Sequence, residues 1–134
     1  MKVQYTVGLT LIAGVAIGAV AMDRLHAQAK PPLYVVTEIT VTDPDNYGKE
    51  FAPKAQASIK AAGGRQVAIG GTGGANAKPV TTIEGDAPKR VTINVWESME
   101  AFDKWYKGAE YQAALQIGLK YAKFRRYAIE GTGN

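Results

Sequence analysis

The stretch SMEAFDKWYKGAEYQAAL, at positions 98–115, decides the fold of this chain. Ser98 is a typical N-cap, and apolar side chains at positions 99, 102, 105 and 106 recur at helical spacing. Gly108 interrupts this helix, and a second helix begins near Glu110. The stretch therefore predicts two consecutive amphipathic helices. It supplies no catalytic group of its own, so it indicates fold rather than chemistry.

Outside this stretch, strand patterns alternate with one more helix. The region from Pro44 to Ala62 predicts a helix with Asp43 as its N-cap, a kink at Pro53 and a stop at the following glycine pair. The glycine-rich segment 70–79 lacks the G-x-G-x-x-G and Gly-Lys-Ser/Thr patterns of phosphate sites, so we interpret it as a hairpin loop. Alternation of apolar and polar side chains predicts strands at 33–41, 65–69, 80–84, 89–96 and 124–130.

The order of these elements is β-α-β, β-β, α-(α)-β. This is the split β-α-β or ferredoxin-like arrangement, an α+β fold with an antiparallel sheet. Helices cover only one face of such a sheet, so the other face needs a different cover. In a domain of 105 residues, positions 30–134, a second copy of the sheet is the simplest solution. We therefore expect a homodimer.

The first 29 residues differ in composition from the rest of the chain. Lys2 precedes 20 uncharged residues, and Ala27-Gln28-Ala29 has the small-x-small pattern of a signal-peptidase site. We interpret 1–29 as a secretory signal peptide and 30–134 as the domain, which predicts a periplasmic or secreted protein without stable membrane association after cleavage. The alternative is a retained N-terminal membrane anchor, because 20 residues are long enough to span a bilayer.

The composition excludes several kinds of chemistry. The only histidine, His26, lies in the predicted signal peptide, and the chain has no cysteine. The domain therefore has no His general base, Ser-His or Cys-His nucleophile, His-ligated haem or His/Cys zinc site. Glu84, Asp86 and Glu97 lie in or beside turns, where solvated carboxylates are expected. We expect no cofactor and no metal ion.

The charge balance does not indicate a nucleic-acid partner. Without the predicted signal peptide, 14 basic and 11 acidic residues remain. The basic residues are scattered, apart from Lys89-Arg90 and the run from Lys120 to Arg126. A net charge this small keeps a domain soluble but forms no extended basic face. The expected partners are a second copy of the chain and a small molecule.

A series of short motifs, in the same order along the chain, resembles the DUF1330 family. The resemblance covers roughly Leu33 to Gly131 and implies a dimeric α/β barrel, in which two ferredoxin-like sheets pack face to face with the helices outside. It implies no reaction. The family commonly has an arginine where this chain has Gly118. The motifs are Tyr34–Ile39 with Thr42–Tyr47, Gly63-Gly64-Arg65, Glu84-Gly85-Asp86, Ser98–Ala101 with Trp105-Tyr106, Glu110–Leu115 and Glu130-Gly131.

The candidate site follows from assigning the two faces of the sheet. We expect the more apolar face, with Val35, Ile39, Val91, Ile93 and Val95, to lie against the helices. The opposite face would then point into the barrel and carry the candidate ligand-binding residues Tyr34, Glu38, Thr92, Asn94 and Trp96. Glu38 is the candidate catalytic residue, since a carboxylate in a partly enclosed cavity can move a proton.

Each candidate also has a structural interpretation. Glu38 can pair with a basic residue such as Arg65 or face trapped water at a dimer interface. The aromatic side chains of Trp105, Tyr106 and Tyr111 can form a lid over a pocket, but at helical spacing they more often pack in a core or an interface.

Three functional hypotheses remain from the sequence. The first is a periplasmic homodimer that binds a small ligand in the barrel interior. The second is a cofactor-independent isomerase or monooxygenase on small phenolic or lactone substrates, with Glu38 as proton shuttle. The third is a structural dimer without a small ligand. Relatives of similar architecture include monooxygenases, lactone isomerases and peroxidases, so the fold alone does not choose among them.

Overall fold

The computed structural model describes residues 30–73 and 76–133. The predicted signal peptide, 1–29, lies outside the described residues. Among the residues that the structure describes, no helix has both the length and the apolar character needed to cross a bilayer.

The described residues form four strands and three main helical regions. The strands are β1 (Leu33–Val41), β2 (Arg65–Gly71), β3 (Arg90–Trp96) and β4 (Ala122–Glu130). The first helical region comprises α1 (Pro44–Asn46), a π-helical turn (Tyr47–Phe51) and α2 (Ala52–Ala61), and the other two are α3 (Met99–Tyr106) and α4 (Ala109–Tyr121).

The four strands make one antiparallel sheet in the order β2-β3-β1-β4. This order, with α1–α2 and α3–α4 as the two crossovers, is the ferredoxin-like topology that the sequence predicts. The predicted strand at 80–84 is wrong. That segment follows Pro79, which has no amide hydrogen to donate, and Ile83 is 86% exposed. Among the described residues between β2 and β3, the pairing is limited to an isolated bridge of Lys78 with Gly70.

The first helical region shows how the chain accommodates Pro53. The sequence predicts a kink or break there, because proline lacks an amide hydrogen and its ring collides with the carbonyl four residues earlier. The structure instead widens the preceding turn, so that the Ala52 amide donates to the carbonyl of Tyr47, five residues earlier. The Asp43 carboxylate caps the helix start, where it accepts from the Asn46 amide at 3.1 Å. The widened turn places Tyr47 and Phe51 against the sheet, where both are buried.

The core lies between the helices and one face of the sheet. Its aromatic part is continuous: Trp96 packs on Phe102 and Trp105, and the rings of Trp105 and Tyr111 are 3.9 Å apart between centroids. The Trp105 indole donates to Ser58 at 3.0 Å, which joins α3 to α2. Trp105 and Tyr111 are therefore core residues, as the structural interpretation of the sequence expects, and Tyr106 is half-buried beside them.

Candidate functional site

The two faces of β3 are reversed relative to the sequence prediction. Val35, Thr37 and Ile39 of β1 lie beneath the helices, as expected. Thr37 is directly opposite Thr92, and Val35 is opposite Asn94, so these partners share a face. The helix-covered face of β3 consequently carries Arg90, Thr92, Asn94 and Trp96, whereas Val91, Ile93 and Val95 lie on the other side. The assumption that the more apolar face of β3 meets the helices is therefore wrong. The helix-covered face is the more polar one, because it lines a polar pocket.

The five candidate ligand-binding residues are therefore not brought together. Tyr34 and Glu38 lie on the face without helices, and Thr92, Asn94 and Trp96 lie beneath them. Trp96 is one of the most deeply buried side chains and packs against Gly64, where a Cβ atom would be 2.6 Å from the indole ring. Trp96 thus belongs to the core.

Glu38 is bound by residues of the neighbouring strand. Both of its carboxylate oxygens accept from Nη1 of Arg125 at 3.2 Å, and Oε1 also accepts from the hydroxyl of Tyr127 at 3.2 Å. Arg125 is directly opposite Glu38 on β4, so the pairing of β1 with β4 brings the two side chains together. Glu38 therefore forms an ion pair, as the structural interpretation expects, but its partner is Arg125 rather than Arg65. Glu38 lines neither of the two pockets on the helix side.

The polar residues of the helix-covered face surround a space that we call the helix-side pocket. Its inner part, about 50 Å³, lies between the sheet and the helices. Its outer part, about 470 Å³, opens between the first helical region and β2. The two parts share a wall formed by Ile39, Tyr47, Ala52, Gln56, Gln66 and Arg90. The inner part is also lined by Thr37, Thr92, Asn94, Tyr111 and Arg126.

Arg126 enters this pocket from β4 and is fixed by two hydrogen bonds. Its Nε donates to Oγ1 of Thr37 at 3.1 Å, and its Nη2 donates to the phenol oxygen of Tyr111 at 2.7 Å. The guanidinium also lies 5.3 Å from the centroid of the Tyr106 ring, within the range of a cation–π contact. The position of this positive charge is thus set by the sheet and by α4.

Arg90 enters the pocket from β3, and its side chain is only partly satisfied. Its Nη1 donates to the carbonyls of Thr72 and Gly73, at the start of the glycine-rich loop, and its guanidinium lies 5.8 Å from the Tyr47 ring centroid. The residue is 4% exposed, and its Nε has no hydrogen-bond partner. Asn94, four residues further along β3, is 7% exposed, and its Oδ1 is likewise without a partner.

The electrostatics of the pocket are positive. Neither Arg90 nor Arg126 forms an ion pair with any carboxylate among the described residues, and no acidic residue lines either part of the pocket. Burial raises the pKa of the Tyr47 phenol, and the nearby Arg90 only partly opposes this effect. Burial also raises the pKa of Tyr111, with Arg126 opposing it. Both phenols are neutral at neutral pH, so neither adds negative charge to the pocket.

The site residues predicted from the sequence include neither arginine. The signal was available for Arg90, which is in phase with Thr92, Asn94 and Trp96 along one strand. Polar residues that alternate along β3 indicate that this face of the strand is not an entirely apolar core. Within residues 30–73 and 76–133, no three His, Cys, Asp or Glu side chains come together as a metal site would require.

The solved structures that resemble this one share its fold at low sequence identity. RPA0582, a protein of unknown function from Rhodopseudomonas palustris, superposes with a TM-score of 0.57 at 14% identity, over 84% of this chain and 92% of that chain. SnoaB, a cofactor-independent oxygenase from Streptomyces nogalater, superposes with a TM-score of 0.55 at 13% identity, over 76% of this chain and 94% of that one. At such identities the likeness concerns the fold alone.

Sequence comparison assigns the family. No curated protein matches the chain significantly. The family model described as a domain of unknown function, DUF1330, matches residues 32–132, which includes every strand and helix described above. The motif resemblance is thereby confirmed, and the chain belongs to the DUF1330 family.

Proposed function

We propose that this protein is an exported homodimer that binds a small molecule in the helix-side pocket. One observation carries the proposal: two arginines enter a pocket that no acidic residue lines, and two polar atoms of its lining residues, Arg90 Nε and Asn94 Oδ1, are buried without partners. Leaving such a group unsatisfied costs about 1–3 kcal/mol, more when it is charged. A domain of this size has little stability to spare. A ligand that supplies the missing partners accounts for the arrangement.

The dimensions of the pocket support a small ligand. The outer part, at about 470 Å³, lies within the roughly 300–1,000 Å³ range of small-molecule sites. Its walls combine apolar side chains, among them Ile39, Val41 and Ile69, with the polar groups of Gln56 and Arg90. The π-helical turn contributes Tyr47 and Gly48 to the wall, and such turns are frequent at functional sites.

The homodimer is proposed from the face of the sheet that no helix covers. This open face includes Tyr34, Val36, Glu38, Val91, Ile93, Val95, Arg125, Tyr127 and Ile129, with the polar residues Thr40, Lys123 and Arg65 towards its edges. Apolar side chains predominate, and Ile129 is 58% exposed. Glu38 and Arg125 lie together on the same face, so a two-fold copy can offer each charge its opposite. A second copy of this chain therefore suits the open face in both polarity and charge.

Export is proposed from the composition of residues 1–29. An uncharged segment followed by Ala27-Gln28-Ala29 supports cleavage before Lys30 and location in the periplasm or outside the cell. The alternative, a retained N-terminal anchor, places the same domain outside the cytoplasm but on the membrane.

The alternative function is cofactor-independent oxygenation or isomerisation of a small phenolic or lactone substrate. The fold shared with SnoaB is compatible with it but does not carry it. Glu38 as proton shuttle fits poorly, because it is bound to Arg125 and Tyr127 on the face opposite the pocket. The observation that favours chemistry is the buried Tyr47 side chain, whose phenol lines both parts of the pocket. A structural dimer without a ligand is the third alternative.

Native mass spectrometry of the protein purified from its own host tests these proposals together. We expect a dimer, a subunit mass that corresponds to a chain beginning at Lys30, and a retained small molecule. Arg90→Gln should lose that molecule, whereas Arg125→Gln, which removes an arginine from the open face, should keep it. A wild-type protein without a retained molecule, whose melting temperature no small-molecule panel raises, would leave the structural dimer as the function.

A further inference from the structure

We infer that the ligand is a carboxylate with a compact apolar body, bound in the outer part of the helix-side pocket with its charged group against Arg90. This inference rests on the proposed function, because it names the class of molecule for the same pocket. It follows from the position of the Arg90 guanidinium, from the buried charge of that group, and from the apolar character of the wall beyond it.

The guanidinium of Arg90 is directed towards the outer part of the pocket. Its Nη1 donates to the carbonyl of Thr72 at 3.3 Å and to the carbonyl of Gly73. Thr72 and Gly73 line the outer part and not the inner part, and the same holds for Lys89, the residue before Arg90. The two carbonyls fix the guanidinium, so it is already in place for a ligand. The positive charge of Arg90 therefore lies at the wall of the outer part, where β2 ends and β3 begins.

The buried charge of Arg90 is the reason for an anionic ligand. The residue is 4% exposed and forms no ion pair with a carboxylate among the described residues. Arginine keeps its proton in proteins, so it does not relieve the cost of burial by becoming neutral. The two carbonyls carry no net charge, and the Tyr47 phenol nearby stays protonated because burial raises its pKa. A negative group on the ligand thus supplies the missing counter-charge.

The wall of the outer part favours a single negative charge on a planar group. Of the described residues that line it, Arg90 is the one buried cation, since Lys89 is exposed to solvent. A carboxylate carries one charge and matches the fork of N–H donors on a guanidinium. A phosphate monoester carries about −1.5 to −2 at neutral pH, and its additional charge would face exposed Lys89 and uncharged groups. These uncharged polar groups are the amides of Gln56, Gln66 and Asn76.

The body of the ligand follows from the apolar side chains of the same wall. They come from β1, β2 and the first helical region, and the volume of about 470 Å³ is enough for one ring and its substituents. A phenyl or branched alkyl group buried against them strengthens binding, whereas a carboxylate without such a body leaves this surface in contact with water. The apolar residues are Ile39, Val41, Pro44, Ala52, Pro53 and Ile69.

Four probes test the inference by isothermal titration calorimetry, on protein expressed from its full-length gene and in a buffer without carboxylate or phosphate. Phenylacetate carries the charge and the body, phenylacetamide lacks the charge, acetate lacks the body, and phenyl phosphate carries the larger charge. We expect phenylacetate to bind roughly tenfold more tightly than phenylacetamide, which leaves Arg90 without a counter-charge. Acetate should bind at least about tenfold more weakly than phenylacetate, because it buries no ring. Phenyl phosphate should also bind more weakly than phenylacetate.

Two variants locate the effect in the pocket. Arg90→Gln removes the buried charge and should lower the affinity for phenylacetate to that for phenylacetamide. Arg125→Gln removes the same charge from the open face and should keep the preference for phenylacetate. A preference that survives in Arg90→Gln would show that another cation binds the carboxylate. The wild-type comparison needs no variant, so it decides the class of ligand even if Arg90→Gln fails to fold.

The failures of the two proposals are distinguishable. If native mass spectrometry finds a retained neutral or cationic molecule that Arg90→Gln releases, the pocket binds a ligand and the carboxylate class is wrong. Equal affinities for phenylacetate and phenylacetamide, or tighter binding of phenyl phosphate than of phenylacetate, likewise overturn the carboxylate and leave the pocket as a ligand site. Absence of any retained molecule, together with no binding of the four probes, overturns both proposals.

Discussion

Nη2 of Arg126 donates to the phenol oxygen of Tyr111 at 2.7 Å, and this bond joins the last strand to the helix that precedes it. Tyr111 is almost fully buried, so its hydroxyl is satisfied by the protein rather than by water. The same guanidinium reaches Thr37 on β1. Arg126 thus connects two strands and α4 while it contributes positive charge to the helix-side pocket.

Removal of the Tyr111 hydroxyl should therefore destabilise the protein. Tyr111→Phe keeps the ring packed on Trp105 but leaves Nη2 of Arg126 without its acceptor, and we expect a loss of about 1–3 kcal/mol in the free energy of unfolding. Urea unfolding followed by tryptophan fluorescence measures it. Tyr121→Phe is the control, because the hydrogen bond of its hydroxyl to Glu50 is exposed and its loss should change stability by less than about 0.5 kcal/mol. Equal stabilities of the two variants would show that the Arg126–Tyr111 bond contributes nothing.

Gly118 is required by the packing of α4 on the π-helical turn. A Cβ atom at this position would lie 2.6 Å from the Phe51 ring, which is buried and cannot turn away freely. Gly118→Ala should cost about 1–3 kcal/mol from overpacking, partly offset by the gain of about 1 kcal/mol in helix propensity. A longer side chain at this position would meet Phe51 in the same place.

Gly48→Ala is the matched control for Gly118→Ala. Gly48 lies in the π-helical turn with nothing within 4 Å of its ideal Cβ position, so alanine should be neutral or stabilising there. Differential scanning calorimetry of both variants separates steric from backbone effects. If Gly118→Ala raised the melting temperature as Gly48→Ala does, the close approach of Phe51 would be contradicted.

Gly71 is required by backbone conformation as well as by space. Its φ angle is +98°, and a Cβ atom would lie 2.1 Å from the Lys89 carbonyl oxygen, part of the adjacent strand segment. Gly73 has a positive φ angle of +76° but nothing within 4 Å of its ideal Cβ. Gly73→Ala should therefore cost about 1–2 kcal/mol from backbone strain alone, and Gly71→Ala should cost clearly more. Equal costs, measured by urea unfolding, would refute the steric contribution of Lys89.

The sequence predicts local features of this fold well because their causes are local. The helix caps at Asp43 and Ser98, and the period of β1, depend on residues within one turn or one strand. The strand at 80–84 is wrongly predicted, because alternation alone does not supply a partner strand. The sequence also does not predict the π-helical turn before Pro53. Proline indicates that the helix is disrupted, but it does not indicate which form the disruption takes.

The candidate site is less predictable because its cause is long-range. The pairing of β3 with β1, in which Thr37 is opposite Thr92, determines which face of β3 lies beneath the helices. Hydropathy alone predicts the opposite face. The burial of Arg90 depends on carbonyls of Thr72 and Gly73, 17 to 18 positions away in the chain. The sequence therefore predicts Asn94 as a ligand-binding residue, but on the same face as Glu38. In the structure the two residues lie on opposite faces of the sheet.

The open face predicts a change of oligomeric state on substitution. Val36 lies near the middle of β1, between Ile93 and Tyr127 on the neighbouring strands. Val36→Lys introduces a charge there, which an apolar sheet-to-sheet interface cannot bury without a partner. We expect a monomer by size-exclusion chromatography with light scattering. Leu119→Lys, at a position on α4 that is 52% exposed, should leave the dimer intact. A persistent dimer in Val36→Lys would show that copies associate through another surface.

The buried phenols predict a loss of stability in alkaline solution. Burial raises the pKa of Tyr47 and Tyr111 in the folded protein above the ordinary value of 10.0, whereas both titrate normally in the unfolded chain. The folded state therefore binds more protons above about pH 10, so the free energy of unfolding falls as the pH rises through that range. The contribution is fully present below the unfolded pKa. Urea unfolding between pH 8 and 11 measures the slope. Tyr47→Phe should make the slope shallower, and a slope identical to that of the wild type would contradict the burial of the Tyr47 phenol on the pocket wall.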